Sequence, residues 1–327
     1  MWRWLIKSTR SESYECFRFT CQGGKPLVDA RIEVARAIDG IALAAKELLH
    51  VMRGEEIPMG HTEATRGRTA FTCCEPIGVV LAISAFNHPL NLIVHQVIPA
   101  VAVGCPVIVD ESADLDRAVP SLVKGGFYHA GQVCVSVQRV FSAEAIARKL
   151  AEKLAAGAAQ LKVGAATAEE TEVGPLILPR EVDRVHAWVE EAVASGAELL
   201  AGGQPLGDTM YQPTVLFDPD AEANISKEEI LGPVICVYPY RDRHEAIQRA
   251  NRLDVAFQAA VYTDSLEVAL DTVKRLDASA VMVNDHNAFR ADWMPFAGRR
   301  VSGYGVGGIG YTMRDMVQTK MTVIKTT

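Results

Sequence analysis

From residue 77 onward, short apolar runs alternate with stretches of helical period, and this alternation limits the fold more than any other feature. Residues 77–83 (Ile77-Gly78-Val79-Val80-Leu81-Ala82-Ile83) form a continuous apolar run of the kind buried on both faces of a parallel sheet. Ser84-Ala85-Phe86-Asn87-His88-Pro89 breaks it. A helix is predicted at 90–103, with Leu92, Ile93, Val97 and Ile98 as its apolar positions, and Gly104 stops it. Cys105-Pro106-Val107-Ile108-Val109 is the next strand. Strand, helix and strand in this order make a βαβ unit, the opening of an open α/β sheet. Downstream, helices are predicted at 114–128, 143–158, 179–195, 243–252 and 266–276, and strands at 137–141, 214–217, 234–238, 256–262 and 280–284. The fold class is therefore α/β.

At 327 residues the chain exceeds one small core and points to two domains. Apolar residues make up 49% and charged residues 22%, ordinary for a soluble globular enzyme. The net charge of −7 argues against nucleic acid or an anionic membrane as partner. The run at 77–86 is too short to span a bilayer, and no apolar signal region comes after Trp4-Leu5-Ile6. The seven cysteines are scattered with no C-x-x-C pair, so no zinc site is expected, and reduced thiols point to the cytoplasm. Residues 1–22 carry no period of either kind. Pro26 suits a first helical turn, and 28–52 reads as one long helix with Ile32, Ala35, Ile38, Leu43, Leu48 and Leu49 as apolar positions. Thr69-Ala70-Phe71-Thr72 alternates as a strand.

The stretch that carries chemistry is Gly125-Gly126-Phe127-Tyr128-His129-Ala130-Gly131-Gln132-Val133-Cys134-Val135-Ser136. Glycines let backbone approach a ligand closely, and a thiol at a helix start would have its pKa lowered toward the nucleophilic thiolate. A cysteine taken alone reads as a buried structural residue. In this context, Gly131-Gln132-Val133-Cys134 resembles the nucleophile motif of the NAD(P)-dependent aldehyde dehydrogenase family. Three further stretches fit that resemblance in chain order. Asn87 in Phe86-Asn87-His88-Pro89 sits where the family places an oxyanion-stabilising amide. Glu229 in Glu228-Glu229-Ile230-Leu231-Gly232-Pro233 matches the glutamate that holds the nicotinamide ribose, with Leu231 in place of the more usual phenylalanine. Phe296 in Pro295-Phe296-Ala297-Gly298, with Ser302-Gly303 after it, matches the late motif near the substrate pocket. Taken alone, an asparagine before proline is more often a turn residue, and Glu229 a solvated charge. His129 and His286 read as packing or hydrogen-bonding histidines. Gly303-x-Gly305-x-x-Gly308 fits the dinucleotide fingerprint formally, but no apolar strand precedes it; a flexible loop is expected there.

The resemblance implies an aldehyde-dehydrogenase-like fold: the open α/β sheet of the catalytic domain plus a truncated Rossmann-like cofactor domain. It implies an atypical segment at 1–22, a truncated cofactor-binding domain with an oligomerisation arm at 23–109, a catalytic thiol domain at 110–303 and an oligomerising segment at 304–327. It also implies oxidation of a small aldehyde to the acid through a cysteine thioester, with NAD or NADP as cofactor, no metal, and a homo-oligomer. The departure lies at the junction. In the family, the strand like Cys105–Val109 leads to a lysine-proline step. A glycine-serine turn and a general-base glutamate come next, and then a second, similar strand opens the catalytic domain. Here Val109 runs directly into Asp110-Glu111-Ser112, so one strand stands for two, Asp110 takes the place of the lysine, and the turn and base have no counterpart. Impaired oxidoreductase activity is expected. The alternatives are a non-catalytic oligomer-forming or partner-binding protein, and an esterase-like acyl acceptor using Cys134. Because the βαβ link is short, the junction strand is expected to stay paired with 77–83, leaving the catalytic sheet without a first strand of its own.

Overall fold

The computed structural model describes residues 20, 23–51, 53–76, 86–90, 105–315 and 317–325. The expected strand at 77–83, the expected helix beyond Leu90, and the segment 1–22 apart from Thr20 lie outside the described residues. Two compact units divide the chain. One comprises Met1–Val34, Pro99–Arg290 and Phe296–Gly305; the other comprises Ala35–Ile98, Ala291–Pro295 and Val306–Thr327.

The strands, in chain order, are β1 (Glu56–Ile57), β2 (Arg68–Pro76), β3 (Cys105–Val109), β4 (Val137–Ala143), β5 (Glu198–Ala201), β6 (Thr214–Phe217), β7 (Val234–Tyr240), β8 (Val255–Ala256), β9 (Gln258–Tyr262), β10 (Ala280–Val283), β11 (Arg299–Arg300) and β12 (Val317–Lys325). The helices are α1 (Leu27–Val51), α2 (Leu115–Phe127), α3 (Glu144–Gln160), α4 (Pro179–Ala194), α5 (Asn224–Lys227), α6 (Arg243–Ala250), α7 (Leu266–Arg275) and α8 (Ile309–Asp315). Short polar side chains start several of them. Asp114 accepts from the Asp116 N–H, Asp242 from that of His244 and Ser265 from that of Val268, each satisfying a donor that a helix start leaves unpaired. Among the described residues no helix is long and apolar enough to cross a membrane.

The first unit is built on a seven-stranded sheet in the order β10-β9-β3-β4-β7-β6-β5. Every neighbouring pair is parallel except β5 with β6. This is the open α/β sheet that the alternation predicts. The expected strand at 256–262 is divided at Phe257, a fully buried residue. Residues on its amino side pair antiparallel with β11, and those on its carboxyl side join the main sheet. Edge strand β5 has no sequence expectation; its four residues are half-buried or exposed, and so short a run directly after α4 shows no period of its own.

The junction strand does not behave as expected. Val107 pairs with Val140 on one side and Ala260 on the other, and Ile108 pairs likewise with Phe141 and Val261. A strand has two hydrogen-bonding edges, and β4 and β9 occupy both edges of β3, so the junction strand belongs to the catalytic sheet, while its expected partner at 77–83 lies outside the described residues. Burial explains the outcome. Val107, Ile108 and Val109 are all 0% exposed, and each side chain buried this way contributes about 1.5–3 kcal/mol. The next residue confirms the register. The Asp110 N–H donates to Tyr262 O (3.0 Å), and its Oδ1 accepts from the Ser112 and Thr263 hydroxyls at 2.7 and 3.1 Å. Asp110 thus ties the end of β3 to the end of β9.

In the second unit β1, β2 and β12 form an antiparallel sheet, with nine consecutive pairs from Val317–Pro76 to Lys325–Arg68. Lys320 Nζ donates to Glu75 across this pair at 2.9 Å. Residues 303–306 form the expected loop, irregular and largely exposed, and the close packing is at Gly308 (φ 105°), where a β-carbon would stand 2.3 Å from Met294 O.

Because β3 is central, Ile108→Ala is expected to lower the unfolding free energy by about 2–5 kcal/mol. Met321→Ala, at a side chain 60% exposed on β12, is expected to stay within about 0.5 kcal/mol. Urea midpoints at constant m-value check both.

Candidate active site

The thiol is presented by a backbone turn between α2 and β4. Helix α2 ends on Gly125, Gly126 and Phe127, and both glycines serve close packing. A β-carbon at Gly125 would lie 2.8 Å from Val137 Cγ2 and 2.9 Å from His286 Cβ. At Gly126 it would lie 2.5 Å from Ile235 Cδ1. The glycine pair therefore meets the sheet and not a ligand. The chain then turns through three successive left-handed residues, His129 (φ 50°), Ala130 (φ 54°) and Gly131 (φ 69°). Two of these carry β-carbons, a conformation that persists only where the surroundings enforce it. Residues 133–136 close a second turn, in which the Ser136 N–H donates to Val133 O at 2.9 Å. Cys134 sits on that turn, half-buried and outside any disulfide among the described residues. No helix starts there, since α2 ends before it and β4 comes next, so the expected helix-start effect on the thiol does not apply.

Side chains distant in sequence hold this turn. Gln132 Nε2 donates to Pro175 O at 3.2 Å, and its Oε1 accepts from the Ile177 N–H at 2.9 Å. Asn287, fully buried, donates from Nδ2 to Val135 O (2.9 Å) and Ser136 O (3.3 Å). Ser136 Oγ lies 3.3 Å from Gly126 O. Asn287 carries no sequence signal: it lies 152 positions beyond Val135 in a short post-strand turn. Gln132 is visible as part of the motif, but its bonding partners are not.

The Glu229 loop meets this turn backbone to backbone. A β-carbon at Gly131 would stand 2.1 Å from Gly232 O, so only glycine fits. That loop rests on α4, where Arg184 Nη2 donates to Ile230 O at 2.7 Å and Val185 packs under Gly232. Leu231, where a phenylalanine is more usual in the family, is left-handed at φ 43°. Glu229 is half-buried, and its Oε1 has no hydrogen-bond partner among the described residues. Burial raises its carboxyl to about 8, against the pull of Arg184. It is therefore not a solvated surface charge.

Phe296 is buried, edge-on to Phe257 with ring centroids 4.5 Å apart, and the Arg290 guanidinium lies 3.6 Å above its ring. The motif after it is fastened by Ser302 Oγ, which accepts from the Ala256 N–H at 2.9 Å. Asn87 is buried within a bend at 86–88 in the second unit, whereas Cys134, Glu229 and Phe296 belong to the first. Burial holds the His129 imidazole well below its ordinary value, with Lys25 adding to the effect, and lowers His286 too. Both are neutral packing histidines near pH 7. Cys236 is fully buried, and burial pushes its thiol up to about 12, which leaves it inert.

This geometry makes two outcomes testable. Gly131→Ala is expected to destabilise the fold by at least about 1–3 kcal/mol and to slow Cys134 alkylation, read by denaturant titration and peptide mass spectrometry. The raised Glu229 carboxyl makes the folded chain bind more protons than the unfolded chain between the ordinary 4.5 and about 8. Stability is therefore expected to fall as pH rises through that window. Urea midpoints across it should show a decline in the wild type that Glu229→Gln lacks.

Comparison with known proteins agrees with this arrangement. The aldehyde dehydrogenase family model matches residues 5–112 and 106–322. The two matches overlap at 106–112, so the junction strand aligns with both of the family's similar strands. The 3-sulfolactaldehyde dehydrogenase of Priestia aryabhattai is 28% identical, with 92% of this chain and 80% of the relative covered. Its aligned span of 384 positions exceeds the whole of this chain, so part of the relative has no counterpart here. The structure of aldehyde dehydrogenase 21 from Physcomitrella patens, in complex with the reaction product succinate, superposes with a TM-score of 0.92 at 28% identity, covering 98% of this chain and 84% of that one. Glyceraldehyde-3-phosphate dehydrogenase from Methanocaldococcus jannaschii, in complex with NADP, superposes with a TM-score of 0.87 at 29% identity, covering 96% and 86%. With its thiol motif set on the family's α/β sheet and the family model matched along most of its length, this chain belongs to the aldehyde dehydrogenase family, whose members use NAD(P).

Proposed function

We propose that the chain keeps the thiol-addition step of aldehyde dehydrogenase chemistry and is impaired in the steps that depend on bound cofactor and a base glutamate. The observation that carries this reading is the turn around Cys134. Gln132 fastens it to the backbone of Pro175 and Ile177, Asn287 holds Val135 and Ser136, and it leaves one half-buried thiol beside a glycine-fitted loop contact. A structural cysteine needs no such support.

In this reading the Cys134 thiolate attacks the carbonyl carbon of a small aldehyde. The new S–C bond forms as the carbonyl π pair moves to oxygen. Backbone N–H groups of the turn are assigned to that oxyanion. NAD(P), when bound, supplies the hydride acceptor. The residues present fit it at one end only. The Glu229 carboxylate has an unpartnered oxygen suited to a ribose hydroxyl, whereas no residue stands for the glycine-serine turn under the pyrophosphate. No hydride step is therefore assigned to this chain. Addition alone leaves a thiohemiacetal; a thioester would form only with NAD(P) bound as hydride acceptor, and without the base glutamate its hydrolysis is expected to be slower by about 10²–10⁴-fold.

The partial cofactor fit beside an intact thiol turn favours a second reading, an acyl acceptor that needs no cofactor. An activated ester transfers its acyl group to Cys134, expels its alkoxide, and leaves the thioester to water.

Limiting iodoacetamide is expected to label Cys134 before Cys73, Cys74 or Cys105, read by peptide mass spectrometry. Turnover of an activated ester is expected to vanish in Cys134→Ala. If another cysteine labels first and no ester is turned over, the chain is a non-catalytic member that keeps the fold for assembly or partner binding. Calorimetry with NAD and NADP is expected to show weak or no binding; a micromolar dissociation constant, about −8 kcal/mol, would contradict the impairment.

A further inference from the structure

We infer that Asp29, in the first turn of α1, is a positioning residue for the reactive thiol: its carboxylate holds the backbone N–H of His129 and so fixes the left-handed turn that delivers Cys134. This rests on the reading of Cys134 as the nucleophile. Asp29 Oδ2 accepts from the His129 N–H at 3.1 Å. His129 is fully buried and is the first of the three left-handed residues. Its N–H is therefore satisfied at the point where the backbone departs from the conformation that ordinary residues prefer.

The start of α1 is itself anchored beside the thiol turn. The Leu27 N–H donates to Ala166 O at 3.0 Å, and Gly24 and Gly174 pack so closely that a β-carbon on Gly174 would lie 2.7 Å from Gly24 O. Arg31 makes a two-bond contact with Glu169, both bonds 2.7 Å. The segment 164–177 that receives these contacts is also the one that bonds Gln132, through Pro175 O and the Ile177 N–H. Asp29 and Gln132 thus grip the two ends of the left-handed triplet from a single framework. Around Asp29, Lys25 and Glu33 form an ion pair of 2.6 Å with side chains 1% and 0% exposed. Burial raises the Asp29 carboxyl, with Lys25 and the His129 hydrogen bond opposing. A neutral oxygen acceptor at this position is accordingly tolerated, whereas loss of the oxygen strands a buried donor.

The experiment compares wild type, Asp29→Asn and Asp29→Ala in the full chain. Iodoacetamide labelling rates of Cys134 are measured against Cys73 in the same molecule, with melting temperatures alongside. The Cys134 to Cys73 rate ratio is expected to fall by about tenfold in Asp29→Ala, the scale of one lost buried hydrogen bond. It is expected to recover to within about threefold of wild type in Asp29→Asn, which keeps an oxygen acceptor. An unchanged ratio in Asp29→Ala overturns the inference, and so does an equal loss in both variants. A merely structural role would lower the melting temperature without this rescue. If Asp29→Ala does not fold, site-resolved amide exchange in the wild type decides: strong protection of the His129 N–H supports the inference, and exchange at the rate of an open loop overturns it. Should wild-type Cys134 label no faster than Cys73, the nucleophile reading fails first, and the positioning role falls with it.

Discussion

Everything in the first unit hangs on the two edges of one five-residue strand. Cys105–Val109 lies between β4 and β9, and its last three residues, all apolar, are wholly withdrawn from water. Were it drawn off toward the amino-terminal segment, β4 and β9 would each lose a neighbour and the sheet would split at its middle. Parallel strands covered on both faces tolerate such a gap poorly, because the exposed N–H and C=O groups would be buried without partners. The strand that stands for two in the sequence is thus claimed by the side with the larger core.

The strand also orders the chain beyond it. Asp110 ties β3 to β9, α2 returns along the sheet, and the glycine pair at its end lets the helix settle directly on Val137 and Ile235. The backbone then reverses through left-handed residues, and that reversal brings Cys134 out half-buried beside the Glu229 loop. Strain and support are matched here: Asp29, Asn287 and, through Gln132, the backbone of Pro175 and Ile177 hold the turn from three separate parts of the chain, and at Gly131 a side chain has no room.

The proposed chemistry is that of a family site with one part kept and the other reduced. A supported thiol needs only its turn and its oxyanion donors. Cofactor binding needs a surface for the pyrophosphate and adenosine, which a single carboxylate does not replace. Among the described residues the buried Oε1 of Glu229 has no hydrogen-bond partner, which is the observation behind its proposed contact with a ribose hydroxyl.

The sequence alone determined the α/β class, most helix and strand positions, the thiol, and the replacement of two strands by one. These are local properties: apolar period, capping residues and motif spacing are written in consecutive positions, and α1, α2, α4 and α7 fall within a residue or two of their expected limits. Tertiary structure decided which sheet keeps β3, because that choice compares two cores and no local pattern encodes the comparison. It also decided that Gly125 and Gly126 serve helix packing, that Cys134 sits on a turn and not at a helix start, and that Asn287 and Asp29 support it. Such roles arise from contacts across 100 or more positions, where a side chain's meaning depends on what the fold places opposite it.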